Sequence, residues 1–134
     1  MSVQWPPDLS FERAVGATAA TGVLQSILGR SRYPGTVSTV TYIPSGSVTG
    51  AATNNRTLTL FNRSTGGGTV SVASLQLVSG TNLVDNTPTT ITLSTVAGAR
   101  DVNPGDILEW DSSAVSSGLT DSGGLVIVQM AYRT

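Results

Sequence analysis

The chain has no cysteine, no histidine and no lysine, and only seven aromatic residues among 134. Without cysteine there can be no disulfide, zinc–thiolate centre or thiol nucleophile. A domain of this length buries about two-thirds of the surface its unfolded chain exposes, so it needs no cross-link. Without histidine the usual general base, the usual proton shuttle and the commonest transition-metal ligand are missing. Charged residues make up 11% of the chain and sum to −1, which offers none of the basic stripe that phosphate binding demands. Nucleic acid is therefore not expected as a partner. No apolar run approaches the roughly 20 residues of a membrane helix. The start MSVQWPPDLSFER lacks the basic flank and apolar centre of a secretory signal. The expectation is synthesis in a cytoplasm, with no membrane contact and no cofactor.

The charges present are unevenly spread. Residues 1–67 hold five arginines against Asp8 and Glu12, while residues 68–134 hold Arg100 and Arg133 against six acids. Two copies could attract head to tail, although salt screens such surface attraction within about 8 Å. An arginine-only basic set suits bidentate interface contacts, but a GC-rich genome explains it as well.

The most concentrated apolar run is Leu125 to Tyr132, entered through Asp121-Ser122-Gly123-Gly124. Eight residues rich in Val and Ile predict a central strand buried on both faces or nearly so. Further strands are predicted at 36–43, 56–63, 69–78, 89–96 and 107–111. In the first, Val37, Thr39, Thr41 and Ile43 would share one face, opposite Val40 and Tyr42. In the second, Leu58, Leu60 and Asn62 oppose Thr57, Thr59 and Phe61. The alternation over 69–78 changes phase midway, as a β-bulge would cause. Trp110, with Leu108, Val126 and Val128, is expected to anchor the core. Residues 112–124 are rich in glycine and serine and read as a connection.

Short strands between turn signals predict an all-β fold, an antiparallel β-sandwich or jelly-roll-like barrel. The first 32 residues differ. Trp5-Pro6-Pro7 cannot be helix interior, and residues 11–28 read as two short strands. Residues 1–32 are assigned to an extended N-terminal arm and 33–134 to the sandwich domain. Trp5, Pro6, Pro7, Phe11 and Arg13 are the expected partner contacts of that arm, because an apolar ring on a proline-rich segment is well placed to dock on a neighbour.

No constellation points to catalysis. Asp106, Glu109 and Asp111 form the densest acidic group, yet only Glu109 and Asp111 share a strand face, and glycoside hydrolysis needs two carboxylates facing across a sugar. A solvated strand face, with Asp106 holding its turn, is the expectation. Asp101, Asn103 and Asp106, or Asn82, Asp85 and Asn86, could offer loop oxygens to calcium, but neither set has the spaced pattern of a calcium loop. Turn chemistry explains the same residues. Gly66-Gly67-Gly68 lacks the lysine of a phosphate loop and reads as a hairpin tip.

Five short motifs carry a family resemblance. They are Thr41-Tyr42-Ile43-Pro44; Val48-Thr49-Gly50-Ala51-Ala52-Thr53-Asn54 with Arg56-Thr57-Leu58; Leu75-x-Leu77-x-Ser79-Gly80; Pro104-Gly105-Asp106-Ile107-Leu108; and Gly118-Leu119-x-Asp121-x-Gly123-Gly124-Leu125-Val126. Together, over about residues 36–130, they resemble small virion proteins of tailed phages that infect actinobacteria. The resemblance implies a non-enzymatic capsid decoration or minor head protein, a β-sandwich on the outer shell. Its implied partners are the major capsid protein and further copies of itself, as a trimer or a cluster at a local symmetry axis. Residues 1–32 lie outside the resemblance. The alternative from a different class is a surface carbohydrate-binding or adhesion module, in which an exposed aromatic such as Tyr33 or Trp110 would carry the sugar.

Overall fold

A computed structural model describes residues 9–64 and 67–133. Ten strands form: β1 (Leu9–Val15), β2 (Val23–Arg30), β3 (Gly35–Pro44), β4 (Asn55–Arg63), β5 (Thr69–Gln76), β6 (Thr89–Thr90), β7 (Thr92–Leu93), β8 (Asp101–Val102), β9 (Ile107–Val115) and β10 (Gly124–Tyr132). They build two antiparallel five-stranded sheets. The first runs β1-β10-β3-β6, with β8 also on β3; the second runs β2-β9-β4-β5-β7. The fold is a β-sandwich.

Alternation explains which side chains meet between the sheets. Val126, Val128 and Met130 from β10, Leu58 and Leu60 from β4, and Leu108 and Trp110 from β9 are all buried in one core. Trp110 stacks obliquely on Tyr42, with ring centroids 5.3 Å apart. The four expected core anchors are thus in place. The run 125–132 is central, paired with β1 on one side and β3 on the other. It is buried on one face only, for Leu125 and Ile127 on the other face are half-buried.

Bulges decide several faces. On β5 an extra residue, Val72, stands between Ser71 and Ala73, which pair with consecutive residues of β4. Val72 and Ala73 are consequently both buried, which is the predicted change of phase. A second bulge at Ser38 of β3 was not foreseen. It rotates Val37 inward beside Val40 and Tyr42, leaving Thr39 and Thr41 outside, so the predicted grouping of Val37 with Thr39 fails.

Two segments depart from expectation because they change sheets or carry little apolar signal. The stretch predicted as one strand over 89–96 splits at buried Ile91, with β6 bonded to β3 and β7 to β5. It straps the two sheets together along one flank. Strand β9 continues to Val115 through Ser112 and Ser113, serines that read as linker. Along the opposite flank run β1 and β2, one from each sheet. Residues 9–15 and 23–30, assigned from sequence to an arm, are thereby strands of the sandwich itself. Leu9–Val15 pairs with β10 throughout, and Val23–Arg30 pairs with β9.

Candidate interaction surfaces

Of the expected arm contacts, Trp5, Pro6 and Pro7 lie outside the described residues. Phe11 sits on β1 and packs against the core. A Cβ on Gly29 of β2 would come within 2.6 Å of its ring, so this glycine makes the room Phe11 occupies. Phe11 is committed to its own domain, which corrects its assignment to a neighbour. Arg13, on the same strand, is exposed.

The end of the sandwich that carries the 16–22 and 116–123 connections is cross-tied by a buried arginine. Arg56, at the start of β4, has no exposed surface. Its Nε donates to the Leu119 carbonyl at 2.6 Å, its Nη2 to those of Ala19 and Ala20 at 2.7 and 3.0 Å, and its Nη1 to Ser112 Oγ at 3.1 Å. Both Nη atoms also reach the Gly22 carbonyl at 3.2 Å. Ser112 passes the network on to Asp121 Oδ2 at 2.9 Å, and Asp121 Oδ1 accepts from Tyr42 Oη at 2.8 Å and from Gly123 N. Burial lowers the Arg56 pKa while Asp121 raises it. Burial and then Asp121 push the Tyr42 phenol well above its ordinary value. Gly118 has φ +68°, and a Cβ there would collide with the Ala20 carbonyl. Tyr42, Arg56, Gly118, Leu119, Asp121 and Gly123, scattered through three of the five motifs, converge here.

The outer face of the second sheet carries the acidic pair. Register places Gln25, Asp111, Thr59 and Ser74 in one row across β2, β9, β4 and β5, and Ile27, Glu109, Phe61 and Ser71 in the next. Glu109 accepts two bonds from Arg63, at 2.7 and 2.9 Å, and this holds its pKa below the usual carboxylate value. Asp111 is desolvated and shares a hydrogen bond with Glu109, so its pKa is pushed up to about 7. Both are buried. The expected solvated face is therefore wrong for these two, although the expected facing is right. Split pKa values in adjacent carboxyls resemble an acid–base pair, but Glu109 is already engaged bidentately by its own arginine.

Asp106 does hold its turn: Oδ2 accepts from Asn103 N and from Asn62 Nδ2, both at 2.9 Å. Asp101 accepts from Thr36 Oγ1 and lies 3.5 Å from Arg133. Asn103 Oδ1 accepts from Arg133, and Asn82 Oδ1 accepts from Gly50 N. These loop oxygens thus serve protein donors. Among the described residues no group of three or more acidic side chains is placed to hold a metal.

Beside the acidic pair, β2 forms an edge of the second sheet. Val23 and Ile27 stand 62% and 57% exposed on it, and Val23–Gly29 contains no charge and no proline. Edge strands are ordinarily blunted by such residues or by shortness. Neighbouring β1 carries Glu12 and Arg13, and β7 has two residues. The reading of residues 11–28 as two short strands anticipates β1 and β2 but leaves them in an arm, since the apolar residues of β2 fit helical spacing as well.

The chain matches no protein-family model and no curated protein.

Proposed function

We propose that the protein is a structural component of a phage virion, decorating and reinforcing the outer capsid surface through non-covalent contacts with the major capsid protein and with copies of itself. The observation that carries this reading is the β2 edge, which a bulge at Leu28 interrupts but which holds no charge and no proline over residues 23–29. Val23 and Ile27 give a stiff sandwich a ready surface for self-association, since an open strand adds a partner strand through backbone bonds and apolar side chains together. The family resemblance supports it independently, and residues 1–8 remain the candidate tether, with Trp5, Pro6 and Pro7 as its contacts. Binding repeated copies to a symmetric shell raises effective concentration without any new contact. The test is co-sedimentation of the purified full chain with phage capsids that lack it. Saturable binding is expected, weakened by removing residues 1–8; a soluble chain that ignores shells overturns the proposal.

A second reading, a carbohydrate-binding or adhesion module, is favoured by one pair only. Tyr33 and Tyr132 are 40% and 43% exposed, and their rings meet edge to face at 6.4 Å. Trp110 is fully buried and leaves that reading. Glycan-array binding abolished by Tyr33→Ala would favour the module.

A further inference from the structure

Formal charge misdescribes the surface of this protein. Of its eight acids, Asp106, Glu109, Asp111 and Asp121 are buried. Among the described residues Glu12 and Asp85 are exposed acids, and the Asp101 side chain is 41% exposed beside Arg133, whereas Arg13, Arg30, Arg32 and Arg100 are exposed bases. Three of those four gather at the end opposite the Arg56 network. Arg30 and Arg32 flank Ser31 on the β2–β3 connection, and Arg100 precedes β8, where its Nη1 donates to the Val37 carbonyl.

That end is rigid. Ser31 N donates to the Asp106 carbonyl at 2.8 Å, and Gly105 N donates to the Ser31 carbonyl at 2.7 Å. Ser31 Oγ donates to the Tyr33 carbonyl at 2.7 Å. Arg30 Nε donates to the Gly105 carbonyl, fixing one face of its guanidinium while the side chain stays exposed. Arg30, Ser31, Arg32, Pro104 and Gly105 line an open cavity of about 670 Å³, within the size range of ligand sites. The acids nearest in sequence are already engaged, Asp106 by Asn62 and Asp101 by Thr36 and Arg133. Exposed Tyr33 follows directly on the same connection.

We propose that this basic end is a docking site for a carboxylate-rich peptide segment of a partner protein. Planar guanidiniums on a fixed loop match carboxylates bidentately. Arginine and tyrosine are among the residues enriched at the energetic centres of protein–protein contacts. Two arginines on one cavity, with Arg100 elsewhere on the same end, are too few to track a phosphate backbone, which favours a peptide over nucleic acid. The inference does not rest on the virion reading, since it names the chemistry of the partner and not its place.

The test uses the full chain and a fluorescein-labelled hexaglutamate peptide, read by fluorescence anisotropy. Saturable binding that weakens with added salt is expected. Arg32→Ala, at a side chain that makes no hydrogen bond among the described residues, should weaken it several-fold with an unchanged melting temperature. The Arg30→Ala/Arg32→Ala pair should weaken it about tenfold or more. No saturable binding, or binding untouched by both variants, overturns the proposal. A duplex oligonucleotide that binds as tightly as the peptide also overturns it in favour of a phosphate partner. Loss of capsid binding with peptide binding intact would sink only the proposed virion role.

Discussion

The two ends of the sandwich use the same side chain in opposite ways. At one, Arg56 is stripped of water and spends its guanidinium on the carbonyls of Ala19, Ala20, Gly22 and Leu119. At the other, Arg30 and Arg32 face solvent around an open cavity. The difference teaches that arginine content indicates nothing until the acceptors are known. Where two connections present carbonyls that no strand satisfies, a buried arginine closes the hydrogen-bond account of the loops. Where the loop closes its own bonds, as Ser31 and Gly105 do, the arginine is left for a partner.

The contrast can be broken most forcefully at Arg56. Arg56→Met should destabilise the fold by about 3–5 kcal/mol, because it strands buried carbonyls and leaves Asp121 without its counter-charge. Urea denaturation measures it. Gly29→Ala comes next at about 1–3 kcal/mol, since the new methyl must displace the Phe11 ring; the same titration reads it. Tyr42→Phe, which removes one of the bonds to Asp121, should cost about 1–2 kcal/mol. Arg32→Ala, the same kind of residue at the other end, should change stability by less than about 0.5 kcal/mol. Equal losses at Arg56 and Arg32 would erase the distinction between the ends.

The acidic pair sharpens the comparison through pH. Folded Asp111 keeps its proton up to about pH 7, against an ordinary value of 3.8. Between those values the folded chain holds a proton that the unfolded chain has released, so this residue makes stability fall as pH rises and adds no further slope above about 7. Glu109 acts the other way. Its pKa is lowered from 4.5, so its contribution is present above that value and lost on acidification through the lower folded value. Asp111→Asn should therefore flatten the melting-temperature profile from about pH 5 to 7 and raise the melting temperature most near pH 8.

Much of the fold was legible in the sequence because burial on one face writes alternation into it. Leu58, Leu60 and Asn62 declared their side of β4, and the broken phase around Val72 declared a bulge. Ser38 did not, because a serine among threonines and valines gives no phase to break. The β2 edge was half legible: residues 11–28 read as two short strands, but Val23, Leu24, Ile27 and Leu28 satisfy helical and extended spacing alike, and pairing with β9 is what places them in the sandwich. The Arg56 network was invisible, since carbonyl acceptors belong to every residue and leave no letter behind. What sequence did offer was Gly118, Asp121 and Gly123, which looked like turn formers. Gly118 closes a turn and makes room for the Ala20 carbonyl that Arg56 bonds, and Asp121 accepts from Ser112, Tyr42 and Gly123 at the far side of that network.

The placement of β10 has a consequence for how the molecule comes into being. It is made after both of its neighbours, β1 and β3, and lies between them, so the first sheet has no middle until translation has passed Tyr132. The second sheet likewise awaits β9 to join β2 to β4. Among the described strands the β4–β5 hairpin joins the pair nearest in sequence. Such a topology closes long loops before it gains contacts and belongs to the slower folders, on the order of milliseconds to seconds. The two sheets therefore condense together once β9 and β10 are available.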